Sequence, residues 1–356
     1  MKILAIESSA DETAAAIVEN GTKIISSAVA SSTEMHKKWG GIVPEIAARK
    51  QLECIIPVIS DAVSGQDYDA IAVTVGPGLI GSLLVGVETA KTIAFVTGKP
   101  IIPVNHVIAH IYANFVNPSL VIPGLTRNPS SSNTGSRRKG RDDKKEIQFP
   151  AISLVASGGH TELYLMKSVK DLTWLGGTLD DAAGECFDKT ARLLGFENRG
   201  GEAIAAAAAK FKMQNAKFKI KLPRPMMFDE NFNFSFSGLK TAVVREWTRC
   251  HPAARAGMTN AFAYEIQEAI TDVLVKKTLR AAQKYDAKSI LLSGGVAANT
   301  RLRKKFSILH SLFSIHAPPP ALCTDNAVYI ASYAFFQGNP VDWHKITAVP
   351  DLIVEA

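Results

Sequence analysis

Short apolar runs recur along the chain, and stretches of helical periodicity follow several of them. Residues 2–6 and 70–75 form two such runs, and the second is continuous, as in strands buried on both faces of a sheet. Helical spacing of apolar residues predicts one helix from about 45 to 63 and another after the Gly76-Pro77-Gly78 turn. This alternation of strands and helices predicts an α/β fold with layered sheets.

The same pattern starts again in the second half of the chain. A strand, a turn of small residues and a returning strand occur at 3–18 and once more at 151–166, and a third apolar run covers 288–292. An internal duplication accounts for this repeat and predicts two similar lobes that face a cleft. We assign residues 1–116 plus about 318–356 to the first lobe and 149–317 to the second.

Two segments differ from the rest in composition. Residues 117–148 show neither helical nor strand periodicity and are rich in Pro, Ser, Asn, Gly, Arg and Lys, which is typical of an inserted, mobile surface loop. Residues 205–225 hold six Lys or Arg and no acid, within a chain of formal net charge +7. Clustered cations attract phosphate backbones, so they predict a polyanionic partner, with a solvated charged surface as the alternative.

The overall composition excludes several classes of protein. With 47% apolar and 21% charged residues, the chain is typical of a globular protein. It has no run of 18 apolar residues and no cleavable signal pattern, so we expect no association with a membrane. The four cysteines form no CxxC pair, which disfavours a disulfide framework or a thiolate zinc site and favours a cytoplasmic location.

Three turns of small residues follow predicted strands: Ser8-Ser9-Ala10, Ser157-Gly158-Gly159 and Ser293-Gly294-Gly295. Glycine lets a backbone approach a ligand closely, and successive free N–H groups bind anions. Together the three turns predict contacts to the phosphate and ribose of a nucleotide, although a single such turn is common in ordinary hairpins. The chain has neither a GxxxxGK[ST] nor a GxGxxG pattern, so we expect neither a P-loop enzyme nor a dinucleotide-binding fold.

His106 and His110 are four residues apart, which places both imidazoles on one face of a helix. They can share a metal ion there, or they can be ordinary core histidines. Asp325 is the best carboxylate candidate for a third ligand, although an Asp at the start of a helix is commonly only its N-cap. The residue after His106 is not Glu, so the general base of an HExxH zinc protease is missing.

An acidic stretch opens a further predicted helix. Asp181, Glu185 and Asp188 share one helix face, where like charges would repel each other if simply exposed. Ribose hydroxyls, a metal-bound water or an amine would suit such a face. The alternative is an acidic first turn stabilised by the helix dipole. We expect Asp180 or Asp181 to cap this helix.

Eight motifs in order closely resemble those of the universal tRNA threonylcarbamoyladenosine synthase family, to which the bacterial TsaD (Gcp) proteins belong. The resemblance covers nearly the whole chain except residues 117–148. The motifs are ESSADET (7–13), His36 with GGIVPEIAAR (40–49), NHVIAH (105–110), SGGHTEL (157–163), DDAAGECFDKTARLLG (180–195), FSFSGLKTAV (234–243), SGGVAANTRLR (293–303) and CTDNA (323–327).

The resemblance implies an actin-like fold of two duplicated lobes, as in Hsp70 and sugar kinases. The implied activity is transfer of the threonylcarbamoyl group from threonylcarbamoyl-AMP to N6 of adenosine 37, beside the anticodon, in tRNAs that read codons beginning with A. It also implies one divalent metal ion, iron in the first place and zinc as the alternative, and two protein partners, a degenerate paralogue and a small ATPase. The implied metal ligands are His106, His110 and Asp325, and the implied adenylate contacts are Val155, Ala156, Ser157, Gly158, Gly159, Asp188, Gly201 and Asn299.

The chain departs from the family pattern at three sites. Ala10 replaces the cysteine that is usual in the first motif, so a thiol at this position is not essential here. Residues 199–205 read RGGEAIA instead of the usual PGGPEID, which removes both prolines and the final acid. The NHVIAH motif lacks the usual glutamate but keeps both histidines.

The expected chemistry is acyl transfer, in which the N6 amine attacks the carbamate carbonyl and AMP leaves. A base would take the proton, and Asp11, Glu12 and Glu185 are the candidates. One rival hypothesis is an actin-fold ATPase or small-molecule kinase, which has no use for the histidine pair. Another is a metallopeptidase, which the missing catalytic Glu disfavours.

Overall fold

The computed structural model describes residues 1–32, 35, 42–117, 146–197, 200–211 and 220–353. These residues form two five-stranded mixed sheets. The first sheet has the order β3-β2-β1-β4-β5 and comprises β1 (Lys2–Glu7), β2 (Glu12–Glu19), β3 (Lys23–Ser31), β4 (Ala70–Gly76) and β5 (Ile101–Asn105). The second has the order β10-β9-β6-β7-β8 and comprises β6 (Ala151–Ala156), β7 (Thr161–Met166), β8 (Leu172–Gly177), β9 (Ser289–Ser293) and β10 (Ser314–His316).

Helices cover both sheets. The α-helices are α1 (Pro44–Val63), α2 (Ile80–Thr97), α3 (His106–Ala109), α4 (Ala183–Leu193), α5 (Gly200–Lys210), α6 (Ser237–Arg249), α7 (Pro252–Lys284), α8 (Thr300–Ser307) and α9 (Ala327–Phe336). Short 3-10 helices occur at His110–Asn114, Gly295–Ala298, Ile308–Ser311, Pro320–Leu322 and Trp343–Lys345.

The two sheets have the same connectivity. In the first, β1 pairs antiparallel with β2 and parallel with β4, and in the second, β6 pairs antiparallel with β7 and parallel with β9. Strands β3 and β8 extend the hairpins of their sheets, and β5 and β10 extend the parallel sides. The α/β fold and its duplication are therefore confirmed.

Side chains of β1 alternate between the two faces of the first sheet, as the period of a strand requires. Leu4 and Ile6 pack with α1 and α2, whereas Ile3 and Ala5 pack with α9. Because both faces are covered, the sheet interior tolerates the continuous apolar runs seen in the sequence. After the second sheet, the chain thus returns to pack α9 on the first.

The segment between β5 and the insertion bridges the two sheets. Val107, Ile111 and Tyr112 pack with Val155 and Tyr164 of the second sheet. The Asn114 amide also donates hydrogen bonds to the Leu292 carbonyl at 3.2 Å and to the Ser293 hydroxyl at 3.0 Å. This bridge fixes the histidine segment at the junction of the lobes.

Helix α2 is long and apolar enough to span a membrane by length and composition alone. In this fold its residues Val85, Val87 and Ala90 pack in the core of the first sheet. A core helix of a soluble protein meets the same criterion, so this helix is weak evidence for a membrane segment.

Some sequence predictions fall outside the described residues. These are His36 and the start of the adjacent motif, Arg199, most of the insertion at 117–148, and Lys212, Lys217 and Lys219 of the basic segment.

Candidate active site

A cleft of about 690 Å³ opens at the carboxyl ends of the parallel strands. In α/β folds with such sheets, ligands bind at this edge. Its walls come from the turns after β1, β4, β6 and β9, and from α4. Residues lining it include Ser9, Asp11, Glu12, Gly78, His106, Ser157, Gly158, Gly159, His160, Glu185, Asp188, Gly295 and Asp325.

The histidine pair lies at the base of this cleft. Asn105 caps α3 by accepting hydrogen bonds from the backbone N–H groups of Val107 and Ile108, so the helix begins directly at His106. The 3-10 helix that starts at His110 continues the turn, and the two imidazole centroids lie 4.7 Å apart. Both rings are nearly buried, with 6% and 1% exposure.

Asp325 approaches both rings. Its Oδ1 lies 3.6 Å from Nε2 of His106 and 3.4 Å from Nε2 of His110. The alternative that Asp325 only caps α9 is wrong, because the cap is Asn326, whose side chain accepts from the Val328 N–H. Asp325 is thus left to face the cleft, with the Tyr329 hydroxyl donating to its Oδ1 at 3.3 Å.

A buried carboxylate that the sequence analysis missed orients His106. Glu7 is fully buried at the end of β1, and its Oε2 lies 3.0 Å from Nδ1 of His106 and accepts the Thr74 hydroxyl at 2.6 Å. Its Oε1 accepts the backbone N–H of Ser9 at 2.6 Å. A carboxylate on one imidazole nitrogen leaves the other nitrogen available as a ligand atom.

The electrostatics follow from these contacts. Burial lowers the pKa of His106, but the Glu7 and Asp325 carboxylates outweigh it and raise that pKa to about 9. Burial dominates at His110 and lowers its pKa. Burial opposes ionisation of Asp325, yet His106, His110 and Tyr329 hold its pKa below the ordinary value.

These three side chains fit a divalent metal ion. Their nearest ligand atoms all lie within 4.8 Å of one another. Both ring nitrogens of His110 are buried and make no well-aligned hydrogen bond among the described residues. A cation bound at Nε2, which the Asp325 carboxylate also approaches, would satisfy that nitrogen. Two imidazole nitrogens and one carboxylate oxygen are a donor set suited to iron, zinc or manganese.

A pair of acids forms one wall of the cleft. Burial raises the pKa of Glu12 well above its ordinary value, and the neighbouring Asp11 and the more distant Asp325 add to that effect. The Ser31 hydroxyl lies 3.4 Å from Glu12 Oε1. Glu12 is therefore a weaker acid than an ordinary carboxyl group.

The acidic helix differs from its prediction. Lys189 lies 2.7 Å from Asp181 and 2.8 Å from Glu185, and Lys240 lies 2.9 Å from Asp181, so intramolecular lysines neutralise two of the three acids. The prediction that Asp180 or Asp181 caps this helix is wrong, because its N-cap is Ala182 with no side-chain cap.

Asp180 instead serves the start of α6. It accepts hydrogen bonds from the backbone N–H groups of Phe236 and Ser237, at 2.8 and 3.1 Å. The hydroxyls of Ser235 and Ser237 donate to its other oxygen, each at 2.6 Å.

The residues proposed to contact the adenylate occupy different places. Ser157, Gly158, Gly159 and Asp188 line the cleft. Val155 and Ala156 are buried within β6, directly before the turn. The backbone N–H groups of Gly200 and Gly201 bond to the Asp188 carboxylate, while burial raises the pKa of Asp188.

Asn299 is occupied elsewhere. Its side-chain oxygen caps α8 by accepting from the Arg301 and Leu302 N–H groups, and its amide donates to Gln267 at 3.1 Å. Gly295 of the same turn lines the cleft. An adenylate contact through Asn299 thus stays a prediction.

Two duplicated lobes around a cleft define a protein of the actin-like ATPase fold class. Solved structures share this fold: HypF of T. kodakarensis superposes with a TM-score of 0.57 at 14% identity, over 94% of this chain and 47% of that chain. Full-length HypF in the phosphate- and nucleotide-bound form superposes with a TM-score of 0.54 at 12% identity, over 94% of this chain and 46% of that chain. Identities this low indicate the fold alone.

The sequence comparisons define the family. A family model described as TsaD, tRNA N6-adenosine threonylcarbamoyltransferase, matches residues 23–126 and 135–332. Relatives of that name include one from Thermomicrobium roseum, 44% identical over 94% of this chain and 92% of its own length. One from Geotalea uraniireducens is 46% identical over 98% of this chain and 96% of its own length. The chain belongs to the tRNA N6-adenosine threonylcarbamoyltransferase family.

Proposed function

We propose that this chain transfers the threonylcarbamoyl group from threonylcarbamoyl-AMP to N6 of adenosine 37 in tRNAs that read codons beginning with A. The observation that carries the proposal is the convergence of His106, His110 and Asp325 in a cleft lined by glycine-rich turns, in a chain of this family. The histidine pair has no role in an ATPase or kinase of the same fold, so the family activity is favoured over those alternatives.

The reaction needs one bond to form and one to break. The N6 amine attacks the carbamate carbonyl carbon, the bond from that carbon to the AMP phosphate oxygen breaks, and AMP leaves with the electron pair. The turn after β6 would hold the phosphate: a Cβ built on Gly158 or Gly159 meets no protein atom, so packing does not require glycine there. Close approach of a ligand to the backbone would require glycine at these positions.

His106, His110 and Asp325 would hold one divalent ion, with iron in the first place and zinc as the alternative. When bound, that ion supplies Lewis-acid polarisation and a fixed positive charge for the threonyl or carbamate oxygens. Glu7 would hold His106 in the tautomer that presents Nε2 to the cleft.

A proton must also leave N6. Burial raises the pKa of Glu12, which suits it to proton donation, and Glu185 is paired with Lys189. Asp11 lines the cleft beside Glu12, and we propose it as the base. The neighbouring Glu12 would then donate a proton toward the departing phosphate.

The tRNA would approach with its anticodon loop over the cleft. Adenosine 37 is single-stranded, so its base can be splayed into a pocket without breaking a duplex. Lys210 and Lys221 of the basic segment are exposed and would contact the phosphate backbone. Arg224 is engaged with Glu265 and with Asp272, so it contributes less than its charge suggests.

Partner proteins would bind the first lobe. Helix α1 exposes Leu52 and Ile56, and the neighbouring helix α2 exposes Ile80 and Leu84, with exposures of 43–65%. Apolar side chains one helical turn apart on two adjacent helices suit a helical partner such as the degenerate paralogue, and a small ATPase would join that assembly. We also propose a cytoplasmic location, where tRNA is available.

The partner surface can be tested by substitution. The double variant Leu52→Asp/Ile56→Asp should lose association with the paralogue in size-exclusion chromatography. Ile308→Asp/Leu312→Asp alters an equally exposed apolar pair on the second lobe and should leave the complex intact. Association that survives the first pair of changes would exclude this face.

The function itself is tested by mass spectrometry of tRNA nucleosides in cells depleted of this protein. The threonylcarbamoyl mark should disappear on depletion, return with the wild-type chain and with His344→Ala, a surface histidine, and stay absent with His106→Ala. A mark that persists after depletion, or that returns with His106→Ala, would contradict the proposal.

A further inference from the structure

We infer that Gln51 is a positioning residue, which holds the acidic turn of the cleft through its side-chain amide. This inference rests on the proposed function for its catalytic consequence only. Gln51 lies on α1, whose buried face otherwise consists of Ala47, Ile55, Val58, Ile59 and Ala62. It is fully buried, and a polar carboxamide in that apolar stripe is costly unless it is hydrogen-bonded.

The amide of Gln51 faces three backbone carbonyls of one turn. Its Nε2 lies 2.9 Å from the carbonyl oxygen of Ala10, 3.2 Å from that of Glu12 and 3.4 Å from that of Ser8. These acceptors alternate along the chain and lie on both sides of Asp11. A single side chain thus restrains the whole turn between β1 and β2.

Helix α2 holds the same turn from another side. The Ser82 hydroxyl donates to the Ala10 carbonyl at 3.1 Å, and the Ser8 hydroxyl donates to the Ser82 carbonyl at 2.9 Å. A Cβ on Gly86 would come within 2.3 Å of the Ser8 hydroxyl oxygen, so the turn and α2 are in close contact. Gln51 is therefore the contribution of α1 to a clamp made by two helices.

The clamped turn carries groups of the active site. The Ser9 hydroxyl lies 3.2 Å from Nδ1 of His106, and the side chains of Asp11 and Glu12 line the cleft. A turn free to move by about 1 Å would misplace Asp11 and Glu12 relative to the three candidate metal ligands. Misplacement of that size costs up to roughly a hundredfold in rate. Gln51 is not among the residues that line the cleft, so its action is indirect.

The test combines hydrogen exchange with kinetics on the intact protein in complex with its partners. Gln51→Leu has a side chain of similar volume but removes the hydrogen-bond donor. Gln51→His places a ring N–H at similar reach and should restore it. Glu53→Gln alters an exposed residue of the same helix and is the matched control.

For Gln51→Leu we expect faster amide exchange in a peptide covering residues 7–13, with exchange in α2 and β4 unchanged. We expect kcat for transfer to fall by roughly tenfold to a hundredfold at unchanged KM for tRNA. Gln51→His should recover most of both effects, and Glu53→Gln should match the wild type.

Unchanged exchange at residues 7–13 in Gln51→Leu would overturn the inference, whatever the activity. So would a loss of kcat that Gln51→His fails to recover. If the wild-type complex forms no threonylcarbamoyladenosine, the proposed function fails, and the exchange data still decide the role of Gln51.

Discussion

Individual residues in this protein acquire their roles from partners that lie far away in sequence. Glu7 ends an apolar strand and would ordinarily be a solvated strand terminus, yet the fold buries it against His106, Thr74 and the Ser9 backbone. An ionised carboxylate at such a place is stable only because every oxygen accepts a hydrogen bond. His106 in turn outweighs burial in holding the pKa of Glu7 below its ordinary value.

Glu7→Gln tests this support of the three candidate metal ligands. The variant keeps the shape of the side chain but removes its charge, so His106 loses the group that fixes its tautomer and raises its basicity. We expect metal affinity, measured by competition with a chelator, to fall roughly tenfold to a hundredfold. Glu19→Gln, on the surface of β2, should have no effect, and equal affinities in both variants would argue against a role for Glu7.

At the scale of secondary-structure elements, the free N–H groups at helix N-termini find their hydrogen-bond acceptors in different ways. Asn105, Asn299 and Asn326 each cap a helix with their own side chain. Helix α6 has no such cap, and the N–H groups at its start donate to the carboxylate of Asp180, a residue more than fifty positions earlier. Such a long-range cap ties the cleft helix α4 and its preceding loop to α6.

Asp180→Ala should destabilise the protein by about 1 kcal/mol, the usual cost of a lost cap. The Asp180 pKa is held below its ordinary value because the Ser235 and Ser237 hydroxyls and two backbone N–H groups outweigh burial. The contribution is therefore present above the ordinary carboxyl pKa and is lost as pH falls through the lowered one.

Thermal unfolding at several pH values measures this effect. The difference in stability between wild type and Asp180→Ala should be full at neutral pH and shrink below pH 3.8, the ordinary value. Asp171→Ala, on an exposed turn, is the control. A difference that grew on acidification would contradict the assignment.

Sequence patterns predicted local features of the fold better than features of the site. The runs of β1, β4, β6 and β9 and the limits of α1 follow from periodicity, because burial on both faces of a sheet leaves a strong signal. The short edge strand β10 and the sequence of α7 gave no comparable signal. The pairing of Asp181 with Lys189 and Lys240 also escaped prediction, since one partner lies on a different helix.

The site was predictable only in part for the same reason. The i,i+4 spacing of His106 and His110 is local, and it identified both residues. The approach of Asp325 depends on α9 packing against the first sheet, and the sequence left its role open between ligand and cap. Glu7 and Gln51 gave no sequence signal, because their partners are set by tertiary packing.

At the scale of the whole molecule, duplication gives two sheets of equal strand order whose parallel strands end at one cleft. The segment from His106 to Asn114 spans the junction, so the grouping of His106, His110 and Asp325 depends on both halves being folded together. Positive charge is concentrated in the second half at residues 205–225. The first lobe would thus supply the metal cluster, and the second would supply much of the electrostatic attraction for tRNA.

The charge asymmetry predicts a salt-dependent interaction. Lys210→Glu/Lys221→Glu should weaken tRNA binding at low salt and reduce the slope of log K against log salt concentration, because fewer phosphate counterions are released. Lys167→Glu/Lys170→Glu makes the same charge change elsewhere on the second lobe and should have a smaller effect. Binding isotherms at three salt concentrations distinguish the two, and equal slopes would remove the basic segment from the interface.

The most direct test of the account is the transfer reaction itself, with purified partners, threonylcarbamoyl-AMP and tRNA. Asp325→Asn should abolish both retention of the metal ion and formation of the modified nucleoside, because the amide cannot supply the anionic ligand between the two imidazoles. Asp342→Asn, which changes an exposed Asp near the C-terminus, should match the wild type. Full transfer by Asp325→Asn would show that the centre of the reaction lies elsewhere.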